Sequence, residues 1–103
     1  MALSIQVNNG IFEMTGNLTA CNVEQVFKYF EIILKMNERI KINLGNLDSI
    51  DMSGILKLKV LALYAKRNGL SVSFLSTPKA DINKSLYGSG ITLSSLEFSK
   101  FSA

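Results

Sequence analysis

The sequence of 103 residues contains no histidine and only one cysteine, Cys21. Zinc sites, serine–histidine–aspartate triads and cysteine–histidine pairs are therefore excluded within this chain. A single cysteine cannot form an internal disulfide bond, which is typical of proteins in a reducing compartment. We interpret Cys21, near the start of a predicted helix, as a small buried hydrophobic residue rather than a reactive thiol. We expect neither a metal ion nor a cofactor.

The sequence also lacks a long apolar run and a dense basic stripe. Its apolar clusters are interrupted by lysine or glutamate and are shorter than the roughly 20 residues that a membrane span needs. The first four residues contain no positively charged side chain and do not resemble a signal peptide. The net charge of +3 is mild and the lysines are scattered, so nucleic-acid binding is not indicated. We expect a cytoplasmic protein without direct membrane insertion.

Apolar residues make up 48% of the sequence and occur along its whole length, which predicts a single folded domain over residues 1–103. Residues 3–7 and 11–15 alternate between apolar and polar side chains, as half-buried strands do. Between them, Asn8-Asn9-Gly10 supplies the positive φ angles of a tight turn, so we predict a β-hairpin. Residues 16–19 are then expected to leave the sheet.

The remaining elements follow from helical and strand periodicity, together with turn residues and helix caps. The first half contains a first helix capped by Thr19 or Asn22 and ending near Asn37, a strand over residues 39–44 and a loop over 45–50 that Leu47 and Ile50 pack against the fold. The second half contains a second helix over 54–68, a strand over 70–75 and a short helix over 80–87 that begins with Thr77 and Pro78. A weak strand over 93–98 and a tail over 100–103 follow. The order ββαβαβα(β) predicts an α/β fold, with a mixed sheet of four to five strands and three or so helices packed on it.

The turn Asp51-Met52-Ser53-Gly54 lies where a strand passes into the second helix. Binding sites in open α/β sheets are usually found at this edge. Asp51 is interpreted as a helix-capping residue that could also order loop amides. Ser53 is favoured as a helix cap over a site of modification, and Ser49 is an exposed hydroxyl with a weaker claim to modification.

Met52 in this turn has two interpretations. It fills a local gap, or it is an apolar contact at the tip of a binding surface. Gly54 is expected to let the helix approach either the sheet or a partner closely.

The second helix has two apolar faces, although a surface helix needs only one. The face expected in the core contains Leu58, Leu61, Ala62 and Ala65, and the other contains Leu56, Val60, Leu63 and Tyr64. The second face is either covered by the rest of the fold or open to a partner, with Lys57, Lys59, Lys66 and Arg67 as its solvated rim. The first helix has a similar spare set in Tyr29, Ile32 and Met36, so an interface with another protein or a homodimer is indicated.

Nearly the whole chain resembles the STAS domain, found in anti-sigma factor antagonists and in sulfate-transporter tails. The resemblance rests on the element order, Gly16-Asn17-Leu18-Thr19 before the first helix, the Asp51-x-Ser53-Gly54-Ile55 turn and the short helix ending in glycine. It implies that the residue after Asp51 accepts phosphate from a partner kinase, which is itself the anti-sigma factor. The unmodified form binds that partner, and about two added negative charges break the complex.

The sequence departs from the family pattern at three places. The acceptor position holds Met52, which has no hydroxyl group, and the aspartate common at the end of the third strand is Asn43. We also expect the family's C-terminal helix to be short or absent. We therefore expect docking of a partner that is either constitutive or controlled by another route than phosphorylation of position 52.

We thus predict a protein-binding regulatory module that docks through the turn and the outer face of the second helix. The partner is an anti-sigma factor or kinase-like protein. One alternative is a STAS subunit of a membrane transport complex, which docks on a transporter subunit. A second is a small-molecule or nucleotide-binding domain, although the chain has no glycine-rich phosphate loop. An enzyme is not expected, because no acid–base pair or activated nucleophile is evident.

Overall fold

The computed structural model describes residues 3–95, which form six strands and three helices. The elements are β1 (Ser4–Asn8), β2 (Ile11–Leu18), α1 (Val23–Asn37), β3 (Arg39–Asn43), β4 (Leu47–Ile50), α2 (Met52–Arg67), β5 (Ser71–Ser76), α3 (Asn83–Leu86) and β6 (Leu93–Ser95). The strands form one mixed sheet in the order β1-β2-β3-β5-β6, and β4 pairs with β2 beyond the end of β3. The predicted α/β class, with a mixed sheet and packed helices, is confirmed.

The predicted hairpin is confirmed, since β1 pairs antiparallel with β2. Asn9 and Gly10 have φ angles of 54° and 78°, and two successive positive angles give the tight turn that matches the twist of a hairpin. β3 pairs parallel with β2 and β5, and β6 pairs parallel with β5. Parallel neighbours require crossovers, which α1 and α2 provide.

Strand β4 was not predicted, because residues 45–50 were expected to be a loop and residues 16–19 to leave the sheet. Instead, β2 continues to Leu18 and pairs with β4 after an irregularity between Gly16 and Asn17. Gly16 lies opposite Leu47 and Leu18 opposite Ile50, so β4 has one more residue than the stretch of β2 that it faces. This bulge brings Leu47 and Ile50, which do not alternate in sequence, onto the same buried face.

The hydrophobic core lies between one face of the sheet and the helices α1 and α2. Phe30 of α1 is fully buried, and its ring meets that of Phe12 of β2 edge to face at 5.6 Å between centroids. Such a pairing adds to the burial of both rings. In α2 the buried residues are Gly54, Ile55, Leu58, Leu61 and Ala65, which confirms the predicted core face apart from the half-buried Ala62.

The third helix is shorter than predicted, and Thr77 and Pro78 do not start it. The carbonyl of Thr77 accepts hydrogen bonds from the Ala80 amide at 3.2 Å and from Asn83 Nδ2 at 2.8 Å. Residues 77–80 therefore form a turn, and α3 covers Asn83–Leu86 alone. Of the predicted strand over residues 93–98, β6 forms the first half, and residues 96–98 and the tail over 100–103 lie outside the described residues.

Gly54 allows the start of α2 to pack directly on the sheet. A Cβ atom at this position would lie 2.8 Å from the carbonyl oxygen of Leu18 and 2.8 Å from Cγ1 of Ile50. The expected close approach is thus made to the sheet. Of these two atoms, the Leu18 oxygen belongs to the backbone, which cannot rotate away as a side chain can.

We predict that Gly54→Ala destabilises the protein by about 1–3 kcal/mol, as overpacking of a tight site does. Alanine normally favours a helix over glycine by about 1 kcal/mol, so the sign of the effect is diagnostic. Urea denaturation followed by circular dichroism measures the change. Ser53→Ala, one residue away, is the control and should stay within about 0.5 kcal/mol. Unchanged or increased stability of Gly54→Ala would contradict the close packing.

Candidate protein-interaction site

Asp51 joins the start of α2 to the segment that follows β2. Its Oδ1 accepts a hydrogen bond from the Gly54 amide at 2.9 Å, and its Oδ2 accepts one from the Ala20 amide at 3.1 Å. Its own amide donates to the carbonyl of Leu18 at 3.1 Å. The expected capping role of Asp51 is confirmed. The bond to Ala20, 31 residues away, was not predicted, since no local pattern marks it.

Ser53 is not the helix cap that the sequence favoured, because Asp51 occupies the N-cap position. Ser53 instead lies half-buried in the first turn of α2. Within residues 3–95 its hydroxyl makes no hydrogen bond, yet no buried side-chain oxygen in that range lacks a partner. The Ser53 hydroxyl therefore reaches solvent. Ser49 is exposed on β4 and donates a hydrogen bond to Oδ1 of Asn17 at 2.7 Å.

The outer face of α2 carries an exposed row of apolar side chains, which we call the α2 stripe. It consists of Met52, Leu56, Val60 and Leu63, with exposed fractions of 65%, 53%, 47% and 47%. The four residues recur at steps of four, four and three and so lie on one side of the helix. Of the two interpretations of Met52, the gap-filling one is wrong. Within the described part of the chain, nothing buries this face.

Tyr64 and Lys57 lie on the side of α2 that faces α1, beside the stripe rather than on it. The Tyr64 ring is half-buried and meets Phe27 edge to face at 6.1 Å. Lys57 Nζ is 2.9 Å from Glu24 Oε2 and 5.2 Å from the centre of the Phe27 ring. Lys57 is thus not a solvated rim residue, since its side chain lies against α1.

Lys59 and Lys66 lie on the other side of the stripe, at an open groove between α2, β5 and the segment before β6. The groove has a volume of about 440 Å³, and both lysines line it together with Leu63. Its other apolar lining residues are Ala62, Val72, Phe74 and Ile91. The groove was not predicted from the sequence, because it is assembled from three elements far apart in the chain.

The spare apolar residues of α1 do not extend the stripe. Tyr29 meets Phe12 edge to face at 6.2 Å and lines a separate open groove with Leu3 and Ile5, next to β1. Ile32 and Met36 are exposed. Cys21 is exposed as well, so its interpretation as a buried hydrophobic residue is wrong.

Asn43 occupies the end of β3, where the resemblance implied an aspartate. Its side chain is buried, and its Oδ1 accepts a hydrogen bond from the Gly45 amide at 2.8 Å. The residue therefore shapes the turn into β4. Among residues 3–95 there is no cluster of three or more potential metal-binding side chains. In the same range, each helix is too short or too polar to cross a membrane.

We predict that stability falls in the order wild type, Asp51→Asn, Asp51→Ala. Asparagine retains one oxygen and can still cap α2, but it cannot accept from both the Gly54 and Ala20 amides. Loss of a cap alone costs about 0.5–2 kcal/mol, and alanine removes the second acceptor as well. Chemical denaturation measures the series. Asp48→Ala, at an exposed position of β4, is the matched control, and an equal loss there would contradict the specific role of Asp51.

Solved structures with a similar fold include the following three. The anti-sigma factor antagonist SpoIIAA in its unphosphorylated form has a TM-score of 0.65 and 14% identity, over 96% of this chain and 93% of that one. An anti-sigma factor antagonist from Mycobacterium paratuberculosis has a TM-score of 0.62 and 11% identity, over 89% and 83%. An uncharacterised protein from Shewanella loihica with a SpoIIAA-like fold has a TM-score of 0.54 and 15% identity, over 96% and 87%.

These identities are low, so the structural likenesses establish the fold. No curated protein matches the sequence. The family model of the STAS domain matches residues 2–99, nearly the full length. This chain therefore belongs to the STAS domain family.

Proposed function

We propose that this protein is a non-enzymatic, cytoplasmic, protein-binding module of one domain over residues 1–103, and that it acts as an anti-sigma factor antagonist does. The docking surface consists of the Asp51–Gly54 turn and the α2 stripe. The observation that supports this most is the stripe itself, whose four large apolar side chains are about half exposed or more. Protein–protein interaction is also what the anti-sigma factor antagonists with this fold are named for.

The stripe has the dimensions of a helix-binding surface. From Met52 to Leu63 it spans about 17 Å at 1.5 Å per residue, or three turns. Full burial of one exposed side chain of this size contributes roughly 1.5–3 kcal/mol, and because these four are 47–65% exposed, a partner that covers them gains roughly half of that for each. Rows of this kind on a soluble domain usually mark an interaction site, whereas single exposed apolar residues do not.

Met52 gives the proposed docking its constitutive character. A thioether cannot accept phosphate, so the position after Asp51 cannot carry the modification that the family resemblance implies. The hydroxyl groups nearest in sequence are Ser53, which is half-buried, and Ser49, which is bonded to Asn17. We therefore expect the unmodified chain to bind its partner at all times.

We predict that Leu63→Asp and Leu56→Asp each weaken partner binding about tenfold or more, as loss of a buried interface anchor does. Folding should be retained, because both side chains already lie near half exposure. The measurement is calorimetric titration against the partner that copurifies with the full chain. Ile32→Asp on α1, at a similarly exposed position, is the control. Unfolding of the α2 variants would show that the stripe belongs to the core. An equal loss of affinity in Ile32→Asp would show that the interface is not at the stripe.

The partner's class separates the proposed role from its main alternative. A kinase-like or anti-sigma factor partner, identified by mass spectrometry and lost in Leu63→Asp, supports an antagonist. A transporter subunit lost in the same variant would identify a STAS subunit of a membrane transport complex instead.

If docking is constitutive, Ser53 and Ser49 should not control the binding of the partner. Ser53→Ala and Ser49→Ala should bind the partner within about twofold of wild type, since surface changes of this size cost at most about 0.5 kcal/mol. Protein isolated from its native cells should carry no phosphate at this turn by mass spectrometry. Phosphate on Ser53 or Ser49, together with weakened binding of the phosphorylated form, would show that the switch has moved to that serine.

A further inference from the structure

The charges on α2 are all of one sign. Between Met52 and Arg67 the helix carries Lys57, Lys59, Lys66 and Arg67 and no aspartate or glutamate. Lys57 is compensated by Glu24 of α1. Within residues 3–95, Lys59, Lys66 and Arg67 form no ion pair. The uncompensated charge on this helix is therefore positive.

These cations border the α2 stripe on one side and at one end. Lys59 and Lys66 lie at the groove into which Leu63 also projects, and Arg67 is in the last turn. The opposite side of the stripe is bounded by α1, where Tyr64 and Phe27 are in contact. The exposed apolar surface thus has a basic border facing the groove.

This arrangement disfavours an antiparallel pairing of α2 with a second copy of the chain. A two-fold axis through the stripe would pair α2 with itself, because the same patch meets its own copy in such a dimer. Where the two copies of α2 run antiparallel, their basic borders would face each other with no acidic residue of α2 between them. Like charges brought together at an interface oppose association.

We propose that the α2 stripe and the adjoining groove bind an acidic amphipathic helix of a partner protein, with apolar side chains on the stripe and carboxylates opposite Lys59 and Lys66. The proposal rests on the proposed function and names the chemistry of its partner. A helix lying on a helix with opposite charges at the flanks is the arrangement by which coiled coils choose their partners. The charges add specificity and speed of association, and the stripe supplies the apolar contact.

Two synthetic helical peptides of equal length test this, since the natural partner is not required. Both carry the same leucine stripe, and the flanking positions are all glutamate in one and all lysine in the other. Binding of fluorescently labelled peptide to the full 103-residue chain is measured by anisotropy, at low and at high salt. We expect the glutamate peptide to bind about tenfold or more tighter at low salt, with the difference reduced at high salt.

The double variant Lys59→Glu/Lys66→Glu should reverse the preference between the two peptides. The control is Lys79→Glu/Lys84→Glu, which changes the net charge equally at exposed positions that neither lie on α2 nor line the groove. The control should keep the preference for the glutamate peptide. A reversal in both variants would mean that overall charge decides, and that would overturn the proposal.

Other outcomes separate this proposal from the proposed function. Equal binding of the two peptides would overturn the charge complementarity and leave an apolar docking surface. Binding of neither would overturn the helix-binding role of the surface, and the Leu63→Asp experiment on the copurified partner would still decide the proposed function. A concentration-dependent dimer in sedimentation, dissociated by Leu63→Asp, would show that a second copy occupies the stripe.

Discussion

The placement of α2 depends on one close contact, between its first turn and the end of β2. Gly54 lies against the Leu18 carbonyl with no room for a methyl group, and Asp51 is hydrogen-bonded to the backbone at Leu18 itself and at Ala20, two residues further on. A helix held at its N-terminus by backbone contacts cannot rotate about its own axis. The contact thus sets which residues of α2 point into the core and which point outward.

That orientation explains why α2 has one covered and one uncovered apolar face. Gly54, Leu58, Leu61 and Ala65 follow the close contact down the buried side, at steps of four, three and four. The α2 stripe lies on the other side of the helix, at steps of four, four and three, so it cannot be buried by the same sheet. α1 reaches the flank of α2 through Phe27 and Glu24 but stops short of the stripe. The exposed row is therefore a consequence of the anchoring of α2.

Sequence patterns predicted the elements whose side chains keep a regular period. The hairpin, α1, β5 and the two faces of α2 followed from alternation, helical spacing and an Asn-Gly turn. β4 did not, because a bulge against β2 removes the alternation that identifies a strand. The predicted start of α3 failed at Thr77, whose carbonyl is occupied by Asn83 across the turn. The groove beside Lys59 and the bond from Ala20 to Asp51 depend on residues distant in sequence, which no local period encodes.

Met52 differs from its neighbours Asp51 and Gly54, because the fold does not explain its side chain. Asp51 caps the helix and Gly54 makes the close contact, so both residues are explained by the fold. Met52 lies between Asp51 and Gly54 with 65% of its surface exposed, and a polar side chain there would satisfy the described structure equally well. Its apolar character therefore has no explanation in the packing of residues 3–95. Continuity with Leu56, Val60 and Leu63 does explain it, because a methionine extends the apolar row to the tip of the helix and adapts to the shape of a partner. This supports our proposal that Met52, at the position where the family resemblance implies a phosphoacceptor, is part of the contact surface.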